Sequence, residues 1–122
     1  MRPDQRDAAY LWDMLEGARE ATAFARGLTL AEYSANRMVK LAVERAIQIV
    51  GEAANRVSQG FRDRHPEIPW RKIVAQRNVL VHEYGDIEDA LVWDLLQHHL
   101  PGLVEHLETL VPPPPDEPPA RA

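Results

Sequence analysis

An arginine, a histidine and a tyrosine lie within eight residues of one another, at Arg77, His82 and Tyr84. An arginine guanidinium is a permanent cation that can grip two phosphate oxygens, and an imidazole moves protons at neutral pH. A phenol stacks on bases and forms hydrogen bonds. In a chain of this composition an Arg-x4-His pair arises by accident roughly half the time, whereas adding the tyrosine lowers that expectation to about one in a hundred. The three residues therefore form a candidate site for phosphate chemistry.

A purely structural role fits the same residues. In one ideal helix, Arg77 and Tyr84 share a face, whereas His82 points about 140° away from the arginine. Because Gly85-Asp86 ends the helix directly afterwards, we expect its last turn to unwind near His82 or Glu83, which lets His82 and Tyr84 turn toward a cleft. In the structural interpretation Arg77 is a solvated charge, His82 is favoured by the helix dipole, and Tyr84 is an aromatic plug under the turn. Residue type and spacing leave both interpretations open.

The composition of the chain predicts one globular domain. A length of 122 residues with 45% hydrophobic content suits one core and is marginal for two. Cysteine is absent, which excludes disulfides, thiolate metal sites and a catalytic thiol. No apolar run approaches the roughly 18 residues of a membrane span and no signal-peptide core is present, so we expect a cytoplasmic protein without membrane contact. The net charge of −5 argues against coating nucleic acid through a broad basic surface, but not against a local site.

Helical periodicity dominates the first half of the chain, and no run of residues makes a convincing strand. Apolar residues at three- and four-residue spacing predict a first helix over residues 4–26, which Gly27 stops. Thr29-Leu30-Ala31-Glu32 matches a capping box and predicts that a second helix begins there and continues to about Ser58. Gly51, inside that helix, predicts close approach of another helix.

The second half of the chain predicts two further helices. Pro66 and Pro69 exclude a continuous helix through the connection that spans Gln59-Gly60 and residues 62–69. A third helix is predicted from Pro69 to a stop at Gly85-Asp86. A fourth, over residues 87–111, stays nearly in phase across Pro101, which predicts a kink or an interruption.

The predicted fold is thus all-α, a bundle of four to five helices over residues 1–111. Residues 112–122 carry Pro112-Pro113-Pro114-Pro115 and two further prolines, so we expect a flexible, disordered tail of polyproline character that adds nothing to the core. A solvated tail is the commoner case, and a ligand for a proline-binding partner is the alternative.

Two other groups of residues have weaker chemical signals. His98, His99 and His106 are of a metal-binding type, yet adjacent histidines diverge by about 100° on a helix, which favours one solvated and one core-facing imidazole. No metal site is therefore predicted. Glu44 and Glu52 lie two helical turns apart and fit either an acid–base pair or ion pairs with neighbouring arginines.

A family resemblance is carried by three stretches: Glu44-Arg45 with Ile49-Val50-Gly51-Glu52-Ala53, the link Pro66-Glu67-Ile68-Pro69-Trp70, and Arg77-x4-His82-x-Tyr84. Together they resemble the HepT-like (DUF86) toxins of the HEPN superfamily, over residues 5–111. The last stretch is the most specific of the three. Asn78, a polar residue directly after Arg77, also matches the usual form of that motif.

The resemblance implies a homodimeric helical bundle that acts as a metal-independent endoribonuclease toxin and needs no cofactor. It implies Arg77 and His82 as catalytic residues, with Asn78 and Tyr84 in supporting or substrate-binding roles. It further implies a type II toxin–antitoxin pair with a minimal nucleotidyltransferase (MNT) antitoxin, which adenylylates the motif tyrosine, Tyr84. The alternative is a non-catalytic subunit that presents substrate to a nucleotidyltransferase partner, an interpretation that the acidic charge and the single motif histidine favour.

Overall fold

Every element of secondary structure in the described residues, 4–82 and 89–111, is helical in this computed structural model. Side chains are described throughout these ranges except at residues 77–82. In chain order the elements are α1 (Gln5–Phe24), α2 (Leu30–Ala35), α3 (Arg37–Arg56), α4 (Gln59–Arg64), α5 (Trp70–His82), α6 (Asp89–Asp94), a π-helical segment (Leu95–His99, the π segment) and α7 (Leu100–Leu110). The predicted all-α class is confirmed. None of these helices combines the length and the apolar character that crossing a membrane requires.

Two helices of 20 residues each, α1 and α3, form the central pair of the bundle. Their contact is closest at Gly17, where an added Cβ would lie 2.8 Å from Val50 Cγ2 and 3.1 Å from the Ala46 carbonyl oxygen. Helix α5 packs on α3, and α7 packs on α1. Gly51, where close helix packing was predicted, is buried. Large, fully buried side chains come from several elements of the bundle: Leu11, Met14 and Leu15 of α1, Tyr33 of α2, Phe61 of α4, Ile68 before α5, and Leu107 of α7.

Local capping signals are confirmed where the sequence carries them most clearly. Gly27 has φ of +82°, the left-handed conformation that ends a helix without a steric cost for glycine. The Thr29 amide donates to Glu32 Oε1 at 2.9 Å, and the Glu32 amide donates to Thr29 Oγ1 at 3.1 Å. Both halves of the predicted capping box are therefore formed.

The predicted single helix from Thr29 to Ser58 is wrong, because the chain breaks at Asn36. That residue has extended backbone, with φ −106° and ψ 92°, and its side chain accepts the Val39 amide at 3.0 Å. Asparagine thus caps α3 and ends α2 at one position. Since the break consumes a single residue, the apolar pattern on either side hardly changes, and periodicity alone does not detect it.

The connection after α3 is also more ordered than predicted. It contains the short helix α4, and Ser58 Oγ caps that helix by accepting the Phe61 amide at 3.2 Å. Phe61 is 1% exposed, so one buried aromatic ring holds the turn against the core. The prolines still end α4 and separate it from α5, as their missing amide donors require.

The predicted interruption of the C-terminal helix is confirmed. It takes the form of a π-helical segment, which the sequence did not predict. The π segment precedes α7, and the Leu100 amide donates to the Leu95 carbonyl, five residues back. Pro101 follows at the start of α7 and lacks an amide donor, so the helix ladder is already incomplete there. The predicted Gly85-Asp86 stop and the predicted proline-rich tail over 112–122 lie outside the described residues.

One buried carboxylate joins the start of α1 to the end of α3. Asp7 is 4% exposed and accepts two hydrogen bonds from Ser58, one from the amide at 2.8 Å and one from the hydroxyl at 2.6 Å. We expect Asp7→Ala to lower the free energy of unfolding by about 1.5–3 kcal/mol, because hydrogen bonds to a charged group are lost. The measurement is urea unfolding followed by circular dichroism at fixed protein concentration.

The control for that prediction is Asp13→Ala, which removes an exposed carboxylate from the same helix. Its expected effect is within about 0.5 kcal/mol, as for most surface substitutions. Equal unfolding midpoints for the two variants would show that the Asp7–Ser58 contacts do not stabilise the fold.

Candidate functional site

Three of the four predicted site residues, Arg77, Asn78 and His82, belong to α5. That helix runs without interruption from Trp70 to His82, so the backbone does not unwind before His82. Arg77 and His82 are five residues apart, which separates their Cα atoms by about 7.5 Å along the helix axis. Tyr84 and Glu83 lie outside the described residues, and the meeting of Arg77, His82 and Tyr84 stays a prediction.

The start of α5 is fixed by the Pro-Trp link. Trp70 is 8% exposed, and its indole Nε1 donates to the His65 carbonyl at 2.9 Å. Its ring lies edge-on to Phe61, with centroids 6.4 Å apart and planes at 81°. Ile68 and Ile73, which precede and follow Trp70 in the sequence, are buried as well. A helix anchored in this way gives Arg77 and His82 a defined backbone position relative to the core.

The start of α6 is fixed to the same core from the other side of the connection 83–88. Lys40 Nζ of α3 lies 3.1 Å from Asp89 Oδ1, the first residue of α6. One turn later, the ring of Trp93 packs on Tyr33 of α2, with centroids 5.5 Å apart. Helix α6, which follows that connection, is therefore attached to both α2 and α3.

At the junction of α2, α3 and α6, a buried phenol lies near two carboxylates and two cations. Tyr33 is fully buried, and within the described residues its hydroxyl has no hydrogen-bond partner. Burial, followed by the charges of Glu44 and Asp89, raises the pKa of Tyr33. Burial also raises the pKa of Glu44, and Asp89 raises it further, while Lys40 and Arg37 act in the opposite direction.

The two glutamates considered as an acid–base pair have separate environments. Glu44 belongs to the junction with Lys40 and Asp89. Glu52 instead pairs with Arg45, whose Nη1 lies 3.9 Å from Glu52 Oε1 in a largely exposed contact. The ion-pair alternative is therefore the one that the structure supports for Glu52.

A groove of about 520 Å³ opens between α5 and the segment from α6 to α7. Its lining includes Lys72, Ile73 and Gln76 on α5, and His98, His99, Leu103 and His106 opposite. All three histidines are exposed, so the prediction that one of the adjacent pair faces the core is wrong. Their residues lie in or after the π segment, where a turn takes more residues and adjacent side chains diverge by only about 80°.

Two imidazoles at this side of the molecule pair with carboxylates. His65 Nδ1 lies 3.0 Å from Glu67 Oε2, and His99 Nε2 lies 3.1 Å from Asp94 Oδ2. The pKa of Glu67 is lowered, first by a hydrogen bond from its own backbone and then by His65, with a further contribution from the charge of His106. Within the described residues, no three metal-ligating side chains converge in a way that could hold a metal ion.

The sequence interpretation missed this groove. Lys72 and Gln76 are spaced as neighbours on one helical face, which is a usable signal. On the opposite wall, His99 and His106 lie seven residues apart, which also places two residues on one helical face. What the spacing does not give is that these two faces lie opposite each other.

Residues 14–110 of this chain match the protein family described as "Ribonuclease HepT-like". "Putative RNase MJ1380" of Methanocaldococcus jannaschii is 34% identical over 100 residues, which cover 82% of this chain and 92% of that protein. "Probable ribonuclease HepT" of Thermococcus cleftensis is 31% identical over 101 residues, which cover 83% of this chain and 92% of that protein. No solved structure matches significantly. The chain belongs to the HepT-like ribonuclease family, which confirms the family predicted from the motif.

Proposed function

We propose that this protein is a metal-independent endoribonuclease that uses Arg77 and His82, and that it is the cytoplasmic toxin of a type II toxin–antitoxin pair. One observation carries the proposal: in a chain that the ribonuclease family matches over residues 14–110, Arg77 and His82 lie on one unbroken helix. The anchoring of that helix through Trp70 supports it further, because catalytic groups need a fixed backbone.

The chemistry requires little from the protein. RNA carries its own nucleophile, since the 2′-oxygen can attack the adjacent phosphorus while the bond to the 5′-oxygen breaks. One group must remove the 2′-hydroxyl proton, and another must protonate the departing 5′-oxygen. The products are a 2′,3′-cyclic phosphate and a 5′-hydroxyl. In this scheme His82 transfers protons, and Arg77 stabilises the charge that accumulates on the phosphorane oxygens.

One motif histidine per chain leaves the reaction short of either its acid or its base. A two-fold dimer that places two α5 helices along one groove would supply a second His82. We therefore propose a homodimer with a shared site. Asn78 would orient His82 or bind phosphate, and Tyr84 would stack on or hydrogen-bond the RNA.

The proposed activity is tested by incubating the purified protein with a panel of RNAs, with and without a chelator. Cleavage that persists in chelator and leaves cyclic phosphate ends is the expected result. A requirement for a divalent ion would contradict the mechanism.

A shared site makes a quantitative prediction for mixed dimers. Wild-type and His82→Ala chains with different tags are co-expressed, and the doubly tagged dimer is isolated. We expect it to cleave RNA at less than about a tenth of the wild-type rate, because one member of the acid–base pair is missing. Half the wild-type rate would mean that each protomer has its own complete site, and a monomer in sedimentation would contradict the dimer itself. A mixed dimer of wild-type and Asp13→Ala chains is the control.

A non-catalytic subunit that presents substrate to a nucleotidyltransferase is the second candidate. The acidic net charge of −5 and the single motif histidine favour it, because a nuclease acting alone needs affinity for RNA and both an acid and a base. The RNA panel separates the two functions. Binding of RNA or nucleotide with no cleavage under any condition would support the subunit.

A further inference from the structure

The groove between α5 and the α6–α7 segment lies outside the motif and has the chemistry of a nucleotide-binding site. We propose that it holds the nucleotide of the RNA substrate that flanks the cleaved phosphodiester. The base would lie on the apolar floor, and the phosphate would meet Lys72, His98 and His106. This inference rests on the proposed ribonuclease function, of which it specifies a substrate subsite.

The groove and the motif share helix α5. Gln76, which lines the groove, directly precedes Arg77 on that helix. Adjacent residues on a helix diverge by about 100°, so an RNA strand that reaches both would pass around α5 from the groove to the motif.

Among its described lining, the groove carries one lysine and several hydrogen-bonding side chains. Two acids at its edge, Glu67 and Asp94, lie next to imidazoles, 3.0 Å from His65 and 3.1 Å from His99. Within the described residues, no hydrogen bond or ion pair occupies Lys72, Gln76 or His98. One lysine with several such side chains suits a single phosphate better than a long anionic strand.

The shape and the floor of the groove suit a base. Its volume of about 520 Å³ falls within the range of small-ligand sites, roughly 300–1,000 Å³. The floor is formed by buried aliphatic side chains, Ile73, Leu95, Leu100 and Leu103. Exposed imidazoles stand at its rim, and single-stranded RNA bases commonly stack on histidine as well as on larger aromatic rings. An acidic peptide would use the cations but not this apolar floor, so RNA is the better fit.

The binding test uses a fluorescent RNA in which every ribose is 2′-O-methylated, so that cleavage cannot occur. We expect Lys72→Ala and the double variant His98→Ala/His106→Ala each to weaken binding by about fivefold or more, and Lys72→Ala to reduce the salt slope by about one phosphate contact. Arg71→Ala is the matched control, because Arg71 is an exposed cation on the same helix that does not line the groove. Equal loss in Arg71→Ala, or wild-type affinity in both groove variants, would overturn the inference.

Kinetic assays with cleavable RNA distinguish an error in the proposed subsite from an error in the proposed ribonuclease function. The groove variants should raise KM and leave kcat unchanged, since they hold a flanking nucleotide and not the reacting phosphate. Groove-dependent binding by a wild-type protein that cleaves nothing would reject the ribonuclease and support the subsite. Cleavage with wild-type KM in all variants would reject the subsite alone. Tighter, Lys72-dependent binding of an acidic peptide than of RNA would also overturn it, as would dissociation of the protein's own oligomer in Lys72→Ala.

Discussion

His82→Ala is expected to lower the rate of RNA cleavage by about a thousandfold or more, because the substitution removes both proton-transfer groups from a shared dimer site. Arg77→Ala should cause a comparable loss by removing charge stabilisation from the phosphorane. Single-turnover cleavage of one defined RNA, at saturating protein, measures the chemical step without interference from product release. Growth inhibition in cells should disappear in parallel.

Replacing Arg77 by lysine tests whether the shape of the guanidinium matters in addition to its charge. Arg77→Lys keeps the positive charge but loses the planar pair of donors, so we expect it to recover only a small part of the lost rate. Full activity in Arg77→Lys would reduce the role of Arg77 to a point charge. Full activity in His82→Ala would remove the proposed mechanism altogether.

Controls on folding show whether a lower cleavage rate reflects the chemistry of the site or a loss of structure. Both variants should retain the wild-type helical content, melting temperature and oligomeric state, because α5 is anchored through Trp70 and Ile73 at its other end. Arg71→Ala is a useful companion, since it removes an exposed charged residue of the same helix that belongs neither to the motif nor to the groove. A comparable loss of rate in that variant would indicate a nonspecific effect of changing α5.

The sequence predicted those parts of the fold that local interactions determine. The left-handed Gly27 and the Thr29 capping box depend on residues within four positions of each other, and both are formed as predicted. The break at Asn36 is equally local, but asparagine is tolerated inside a helix as well as at its cap, so its side-chain bond was not predictable from pattern. Local interactions are therefore predictable from sequence only where the residue type rarely adopts another backbone conformation or another hydrogen bond.

Features that depend on tertiary packing were not predictable. The Lys40–Asp89 ion pair joins helices that are far apart in sequence, and periodicity carries no information about such a contact. The groove between α5 and the segment from α6 to α7 likewise depends on how the helices pack, which the pattern within one helix does not give. For the motif, Arg77 and His82 are candidates from residue type, spacing and the family resemblance, and the structure adds the helix that carries them.

Tyr84 is expected to be adenylylated when the protein is co-expressed with its proposed nucleotidyltransferase antitoxin, with nearly complete loss of toxicity. In that reaction the phenol oxygen attacks the α-phosphorus of ATP, pyrophosphate leaves, and the phenolic proton is released. The attached phosphate would occupy the cation that RNA requires at Arg77 and would repel incoming substrate. Intact-mass measurement should show one or more added adenylyl groups, and peptide mapping should place them on Tyr84.

The other two tyrosines of the chain make the modification test specific. Tyr33 is 0% exposed, so a folded protein cannot present its hydroxyl to another enzyme. Tyr10, on α1, is only partly buried and is therefore the proper comparison. Tyr84→Phe should lose the added mass and remain toxic beside a catalytically active partner, whereas Tyr10→Phe should behave as wild type. Neutralisation of Tyr84→Phe without any added mass would instead mean that the partner inhibits by covering the site, because occlusion requires no phenol oxygen.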